Sequence, residues 1–194
     1  MKIILLALVM GTATSFVAPA AVAAPGNNGD YFVEAKGGNA SIWDSGTSTF
    51  SREILAGYRW NTDFGKPGLE LGYADFGEID SGTPSNGFAF FGATINNAHL
   101  IKAGVDLNYT FGEQLYLEPR IGLMRVSYTG LQRNFPNADI DYSETRTGHY
   151  VGIGVGVWFT PKFAVGLNFD KHTAELLGQT QTISVVSIGM QVQF

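Results

Sequence analysis

The carboxyl-terminal segment of the chain, Ser184 to Phe194, alternates strictly between apolar side chains and polar or very small ones. The apolar positions are Val186, Ile188, Met190, Val192 and Phe194, and those between them are Ser187, Gly189, Gln191 and Gln193. A period of two is that of a β-strand, whereas an amphipathic helix needs apolar residues three and four positions apart. The segment therefore predicts a strand with one apolar and one polar face, ending on an aromatic residue.

The amino terminus predicts export from the cytoplasm. Lys2 is followed by the apolar run Ile3 to Met10 and then by small residues. This order is that of a secretory signal peptide, and we expect residues 1–23 to be removed and residues 24–194 to form one domain. A membrane-spanning helix is disfavoured because polar residues and proline interrupt the run before it reaches the roughly 20 apolar residues of a span.

The composition excludes several classes of protein. The 194-residue chain has no cysteine, so neither a disulfide framework nor a thiolate site can form. Its 12 Lys and Arg residues against 17 Asp and Glu residues give a net charge of −5, which offers no basic surface for nucleic acid. Hydrophobic residues make up 45% of the chain but occupy alternate positions, which is typical of strands that cross a membrane.

Seven earlier segments repeat the alternation of the last one, and their connections differ in length. The segments begin near Tyr31, Ile54, Leu69, Ile101, Leu115, Val151 and Phe163. Short turn-like connections are expected at 61–66, 112–114 and 160–162, and longer polar ones at 39–50, 77–97, 129–143 and 172–181. An even strand number with short periplasmic turns and long extracellular loops predicts an all-β fold, an eight-stranded antiparallel transmembrane β-barrel of up-and-down topology.

Aromatic residues support the predicted topology, because a membrane barrel carries an aromatic girdle at the boundary of the lipid. The strand ends assigned to the periplasmic rim hold Tyr31, Trp60, Phe111, Phe159, Phe163 and Phe194. In the fifth segment, Pro119 is unusual and Arg125 breaks the apolar face, which predicts a bulge or the outer membrane boundary at Arg125.

The inward faces of the predicted strands carry an unusual number of charges. These side chains are Glu34, Lys36, Arg59, Glu70, Lys102, Asp106, Glu118, Arg120 and Asp170. The lumen of an eight-stranded barrel is just wide enough for side chains to fill it. Charges enclosed there must pair, since an unmatched buried charge costs several kcal/mol. We therefore expect a charge network inside the barrel.

Several of these segments resemble a known family. Gly57-Tyr58-Arg59-Trp60, the stretch from Leu69 to Gly77 and the terminal Phe194 are similar to the outer-membrane β-barrel family that includes the OmpA transmembrane domain and OmpX, a porin-like group of small barrels. The resemblance implies a barrel in the bacterial outer membrane, surrounded by outer-membrane lipid and lipopolysaccharide. It also implies that the barrel-assembly machinery reads Phe194 as a signal. The chain ends at the barrel, so we do not expect the peptidoglycan-binding domain of full-length OmpA.

The resemblance leaves three functions open. The first, which we expect, is a non-catalytic structural role with a host or envelope ligand bound through the extracellular loops. The second is a narrow ion channel, because internal salt bridges act as a gate in OmpA-type barrels. The third is a lipid A-modifying enzyme, for which His172, Thr173 and Glu175 at the outer rim are candidates, but Ala174 stands where the lipid A deacylase family has a serine.

Other motifs carry little chemistry. Gly152, Gly154 and Gly156 are spaced G-x-G-x-G in a strand, so they make room for bulky inward groups rather than a phosphate loop. The three histidines lack metal-ligand spacing, and no cofactor is expected. In the second long connection, Phe88, Phe90 and Phe91 form an exposed aromatic patch or are buried by continuation of the strands above the membrane.

Overall fold

The computed structural model describes residues 28–42, 48–80, 91–134, 138–176 and 179–194. The predicted signal peptide lies outside these residues, as do Phe88, Phe90 and the side chain of Phe91. No helix in the described ranges is long and apolar enough to cross a membrane.

Eight antiparallel strands form a closed barrel in the order of the sequence, and β1 also pairs with β8. Their bounds are β1 Gly29–Ile42, β2 Ser48–Trp60, β3 Lys66–Asp80, β4 Phe91–Phe111, β5 Leu115–Asn134, β6 Ala138–Thr160, β7 Phe163–Leu176 and β8 Gln179–Gln193. The predicted all-β, eight-stranded, up-and-down barrel is confirmed. Closure pairs every strand on both sides, which satisfies the backbone without water.

The alternation of the sequence separates the two faces of the sheet. On the outer face, Leu71, Leu123 and Ile101 are 65%, 66% and 61% exposed. On the inner face, Leu55 and Tyr150 are fully buried. An apolar exterior of this kind is stable only in contact with lipid, so the pattern that predicted strands also fixes which face points into the membrane.

Three tight connections lie at one end of the barrel, as predicted, and we call this end the short-turn rim. They join β2 to β3, β4 to β5 and β6 to β7. In the first, the Thr62 hydroxyl donates a hydrogen bond of 2.6 Å to the Gly65 carbonyl oxygen. In the second, Gly112 has a φ of 62°, a left-handed conformation that glycine adopts without steric cost. The opposite end is called the far rim.

The strands continue farther toward the far rim than the sequence predicted. The expected loop 129–143 is mostly strand, because β5 runs to Asn134 and β6 starts at Ala138. The expected loop 172–181 is likewise shortened, since β7 ends at Leu176 and β8 begins at Gln179. The exposed apolar residues of the outer face form a belt that we call the apolar band. The hairpins thus continue beyond this band as paired strands.

The two irregular positions of β5 behave differently. At Arg125 the register with Ile101 and Thr147 is unbroken, so the suggested bulge is wrong there and the residue stays on the outer face. At Pro119 the pairing with β4 is interrupted between Asp106 and Tyr109, which is the effect expected of a residue without a backbone donor.

Two glycines let the Tyr150 ring lie flat against the inner wall. Gly104 pairs with Gly122, and Gly122 pairs with Tyr150. A Cβ atom on Gly122 would lie 2.6 Å from Tyr150 Cε1 and 2.6 Å from the Gly104 Cα. Both separations are shorter than real contacts, so a side chain at Gly122 must displace the ring or the backbone.

We predict that Gly122→Ala lowers the free energy of unfolding by roughly 1–3 kcal/mol, the usual cost of overpacking a filled interior. The measurement is the urea midpoint of the folded barrel. Gly37→Ala is the control, because its Cβ would meet only Phe50 Cζ at 3.5 Å, an ordinary contact. Equal midpoints for the two variants would contradict this account of the ring.

Candidate functional site

All nine predicted lumen charges lie inside the barrel with their side chains buried. Glu53 joins them, with its side chain 6% exposed, and the sequence analysis did not include it. The second segment was predicted to begin at Ile54, so extending the same alternation by one residue would have found it. Nine of these ten charged residues form ion pairs with other described residues, and we call them the lumen network; Glu70 is the exception. The network consists of Glu34, Lys36, Glu53, Arg59, Lys102, Asp106, Glu118, Arg120 and Asp170.

The part of the network nearest the short-turn rim is centred on Arg59. Its Nε is hydrogen-bonded to Asp106, and its Nη2 lies 2.9 Å from Glu118 Oε2. The same Glu118 oxygen accepts a hydrogen bond of 2.8 Å from the Asn108 side chain. The Arg59 guanidinium also lies 3.7 Å from the centroid of the Phe32 ring, a cation–π contact. One cation thus joins β2 to β4 and β5.

Arg120 connects this group to the middle of the lumen. Its Nη2 lies 2.7 Å from Glu118 Oε1 and 2.9 Å from Asn168 Oδ1, and its Nη1 lies 3.5 Å from Glu34 Oε2. The predicted role of the glycines on β6 is confirmed: a Cβ on Gly154 would lie 3.2 Å from Arg120 Nη2, one on Gly152 would lie 3.0 Å from Arg120 Cγ, and one on Gly156 would lie 2.6 Å from Cε1 of the buried Tyr116 ring. The Arg120 guanidinium fits against β6 because the glycines there carry no side chains.

The third part of the network is a pair of lysines that share one carboxylate. Glu53 Oε1 lies 3.0 Å from Lys36 Nζ and 2.7 Å from Lys102 Nζ. Lys36 Nζ also lies 3.3 Å from Asp170 Oδ2. Glu53 therefore neutralises a repulsion between two buried ammonium groups that would otherwise be severe.

Glu70 differs from the other lumen carboxylates, because it has no ion pair among the described residues. Its Oε1 accepts a hydrogen bond of 2.6 Å from the Tyr150 hydroxyl, and Lys102 Nζ lies 4.6 Å from the Tyr150 ring centroid. With Glu53 included, six acidic side chains face four basic ones in the described lumen, rather than the predicted five against four. The interior is more acidic than the sequence indicated.

An apolar layer closes the lumen between the network and the far rim. Its members are Ala40, Ala74, Phe76, Ala98, Leu100, Met124, Val126, Tyr128, Tyr150, Ala174, Ile183 and Val185. A cavity of about 10 Å³ lies within it, lined by residues that include Phe76 and Met124. This volume has room for about one water molecule.

The prediction that His172 lies at the outer rim is wrong. His172 belongs to β7 and points inward, 1% exposed, with its ring centroid 5.6 Å from Phe76 and 6.0 Å from Tyr150. Thr173 is on the opposite face of the strand and shares a hydrogen bond of 3.4 Å with Thr182. The histidine and hydroxyl considered for catalysis are therefore separated by the sheet.

The short-turn end of the lumen is polar and open. A cavity of about 340 Å³ is lined by residues that include Lys66, Trp158 and Gln193. Lys66 Nζ lies 2.7 Å from Asp30 Oδ2 at its edge. The lumen is thus asymmetric, with an open vestibule at one end and an apolar layer at the other.

The predicted aromatic girdle is found on the outer surface at the short-turn rim. Tyr31, Trp60, Phe111, Phe159 and Phe194 are 40–65% exposed, and Phe163 is half-buried against Phe159. The Phe194 backbone N–H donates a hydrogen bond of 2.9 Å to the Tyr31 carbonyl oxygen. The last residue of the chain therefore contributes to the seam at which β8 meets β1.

Polar contacts also order the hairpin of β5 and β6 beyond the apolar band. The Tyr128 hydroxyl donates a hydrogen bond of 2.8 Å to Glu144, and Arg146 Nη2 lies 3.0 Å from the same carboxylate. The hydrogen bond from Tyr128 and another of 3.1 Å from Arg146 Nε hold the pKa of Glu144 below its ordinary value. Over the residues that the structure describes, no group of three or more acidic or histidine side chains could hold a metal ion.

Comparison with known proteins identifies the same architecture. The family described as "Outer membrane protein beta-barrel domain" matches residues 4–194. Among solved structures, the N-terminal β-barrel domain of Pseudomonas aeruginosa OprF is 16% identical, with a TM-score of 0.53 over 84% of this chain and 98% of that one. Neisserial surface protein A is 19% identical, with a TM-score of 0.54 over 87% and 98% of the two chains.

A third similar structure was determined with a ligand. It is Ail, the attachment invasion locus protein of Yersinia pestis, in complex with the heparin analogue sucrose octasulfate. It is 11% identical, with a TM-score of 0.54 over 86% of this chain and 99% of that one. At these identities the likeness concerns the fold alone. None of the curated proteins matches the chain in sequence.

We predict that Glu118→Ala and Arg120→Ala each lower the free energy of unfolding by about 3–5 kcal/mol, because each leaves buried partners of opposite charge unmatched. Gln191→Ala should change it little, since both atoms of the Gln191 amide lack a hydrogen-bond partner in the structure. Urea midpoints of the three variants in the same lipid test this difference. Wild-type midpoints for both charge variants would contradict the network.

Proposed function

Because the chain belongs to the family of outer membrane protein β-barrel domains, and therefore to the bacterial outer membrane, we propose that it acts as a closed, non-catalytic barrel that binds a host or envelope partner at its far rim. We place the short-turn rim, the start of β1 and the end of β8 in the periplasm, because short turns face the periplasm in such barrels. The far rim then faces the outside of the cell.

The observation that carries this proposal is the length of the strands toward the far rim. β5 and β6 stay paired from Leu115 opposite Val157 to Asn134 opposite Ala138. A strand needs only ~9–11 residues to cross the membrane. The remaining part of the hairpin is an ordered surface outside the lipid, and its paired backbone gives a partner a rigid platform rather than a mobile loop.

Two further features support a role without transport or catalysis. The lumen network and the apolar layer fill the cross-section on the far side of the vestibule. The orientation of His172 into the lumen, away from Thr173, argues against these two residues as the catalytic pair of a lipid A-modifying enzyme. Release of acyl chains from lipid A by the purified barrel would contradict this part of the proposal.

The Ail complex with sucrose octasulfate shows that one barrel of this fold has been captured with a polyanionic ligand. We extend to this chain only the idea that such a barrel presents a binding surface.

We predict that shortening the β5–β6 hairpin abolishes binding of the barrel to its partner. In the variant, residues 131–141 are replaced by Asn-Gly, which joins Gly130 to Tyr142 where the two strands already pair. The control replaces residues 175–180 of the β7–β8 hairpin by Asn-Gly, which joins Ala174 to Gln181 where these two strands already pair. Binding of cells that display each barrel to immobilised extracellular-matrix and envelope components is measured, with heat-modifiable gel migration as the test of folding. Full binding by a folded variant without residues 131–141 would contradict the proposal.

A narrow ion channel is the second candidate, and the acidic excess of the lumen favours it. Six acidic groups against four basic ones would attract cations if the apolar layer opened. Conductance in planar bilayers separates the two functions. The closed barrel gives no steady current, whereas a gated channel gives current in Arg120→Ala at little cost in stability.

The partners in assembly are also proposals. We infer that outer-membrane lipid and lipopolysaccharide surround the apolar band and that the barrel-assembly machinery recognises Phe194. The hydrogen bond from Phe194 to Tyr31 supports a role for this residue at the closing seam.

Deletion of Phe194 is predicted to reduce the amount of barrel in the outer membrane several-fold while changing the urea midpoint of the refolded protein little. The reason is that one terminal hydrogen bond contributes only about 0.5–1.5 kcal/mol to the finished fold. Phe194→Tyr keeps the aromatic terminus and serves as the control. If the truncated chain reaches the outer membrane at wild-type levels, the terminal residue is not an assembly signal.

A further inference from the structure

The vestibule at the short-turn rim has a buried floor and an exposed mouth. The floor is formed by Asn108, Trp158 and Gln193, which are 1%, 8% and 4% exposed. The mouth is lined by exposed side chains of β4, of β6 and of the turn between β4 and β5: Thr110, Glu113, Gln114 and Thr160. At about 340 Å³, the cavity lies at the lower end of the range for small-molecule sites, roughly 300–1,000 Å³. The vestibule therefore suits a ligand of one or two rings.

An indole ring forms the apolar part of the floor. Trp158 packs against Tyr116, with ring centroids 5.7 Å apart, and the two belong to a small core cluster with Ala164. The Trp158 backbone N–H donates a hydrogen bond of 2.7 Å to the Gln114 carbonyl oxygen, which ties β6 to the turn at the mouth. The ring is thus supported from below, and the surface that it keeps lines the vestibule.

The Gln193 side chain brings an unused hydrogen-bond donor to the floor. Its Oε1 accepts a hydrogen bond of 3.3 Å from Lys66 Nζ, whereas its Nε2 is buried and has no partner in the described part of the chain. The Gln193 backbone N–H donates to the Lys162 carbonyl oxygen at 2.9 Å, which holds the residue in place. Buried polar atoms in proteins are almost always hydrogen-bonded, so this donor points to a ligand.

The other polar groups of the lining include several that are neutral and both donate and accept hydrogen bonds. Thr110 and Thr160 offer hydroxyl groups, and Gln114 offers an amide. The Asn108 Nδ2 donates to Glu118 at 2.8 Å, so its Oδ1, which lies 3.5 Å from the Thr110 hydroxyl oxygen, is left to accept. A hydroxyl group also donates and accepts. The lining therefore matches a ligand that is rich in hydroxyl groups.

The charges around the vestibule disfavour an ionic ligand. The lining holds one basic and one acidic side chain, Lys66 and Glu113. Lys66 Nζ is already paired with Asp30 Oδ2 at 2.7 Å, and Glu113 stands at the exposed mouth. Deeper in the lumen, Arg59 is paired with Glu118. A charged ligand would lose water at the uncharged floor without gaining an opposite charge there.

We propose that the vestibule binds a neutral saccharide of one or two rings at the periplasmic end of the barrel. The apolar face of a sugar ring packs on Trp158, as aromatic side chains do with apolar surfaces. One hydroxyl of the sugar accepts a hydrogen bond from Gln193 Nε2, and another donates to Asn108 Oδ1. Because the lumen network fills the barrel beyond the floor, the site holds the sugar without transporting it. The site lies at the opposite end from the far-rim hairpin and goes beyond the partner proposed above.

The test measures binding of methyl β-glucoside to the refolded barrel by saturation-transfer NMR, in a detergent without a sugar headgroup. Methyl β-glucuronide, which replaces one hydroxymethyl group with a carboxylate, is the comparison probe, and the wild type should bind it more weakly. Gln193→Ala removes the free donor, and Gln193→Glu replaces it with an acceptor of the same size. Each variant should bind the glucoside roughly fivefold more weakly than the wild type, the loss expected for one hydrogen bond.

Gln191→Ala is the matched control, because Gln191 is the next inward residue of β8 and also has an unpartnered amide, but it does not line the vestibule. The control should bind the glucoside as the wild type does. Equal binding by the control and both Gln193 variants would overturn the proposal, as would tighter binding of the glucuronide or no saturation transfer to the glucoside with the wild type. Heat-modifiable migration verifies folding, and Gln193→Glu decides the test if Gln193→Ala does not fold.

Discussion

The pairing of buried charges across the lumen is the interaction on which the rest of this structure depends. Backbone hydrogen bonds join each strand only to its neighbours: they set the size of the barrel through strand number and stagger, but they make no contact across the lumen. The lumen network joins strands that are not neighbours: Arg59 of β2 reaches Glu118 of β5, and Arg120 of β5 reaches Glu34 of β1. Because a charge left unmatched in a closed interior costs several kcal/mol, these contacts favour one arrangement of the eight strands.

The lumen network also explains why the two ends of the barrel differ. Polar groups near the short-turn rim meet solvent in the vestibule, whereas on the far side Leu100, Met124 and the other members of the apolar layer exclude it. The same change occurs in reverse on the outer surface of β4 to β7, where apolar residues give way to basic side chains such as Arg125 and Lys171 and then to hydroxyl groups. Side chains inside the barrel change from polar to apolar, and those outside from apolar to polar, at nearly the same depth. The paired far-rim hairpin therefore lies in water, and the apolar layer of the lumen lies below it.

Much of this architecture follows from a period of two in the sequence, because a strand with one apolar and one polar face alternates strictly. The number of strands, the short turns and the inward position of Glu118 or Lys102 could be predicted in this way. The strand extensions could not, since beyond the lipid the outward residues, such as Thr145 and Thr147, are as polar as those of a loop. His172 was misplaced for the same reason. Which charges meet across the lumen depends on how the barrel closes and how its strands tilt. No local pattern in the sequence therefore links Glu53 to Lys36 and Lys102.

A double-mutant cycle on Arg59 and Glu118 tests the central claim most directly, because the two residues meet at 2.9 Å across the lumen from non-adjacent strands. Unfolding free energies are measured in urea for Arg59→Met, Glu118→Gln, the double variant and the wild type in one lipid. If the network fixes the barrel, the double variant loses less stability than the two single losses combined, with a coupling of at least about 1.5 kcal/mol. Losses that add to within about 0.5 kcal/mol would show that the two charges act independently, and the account would be wrong.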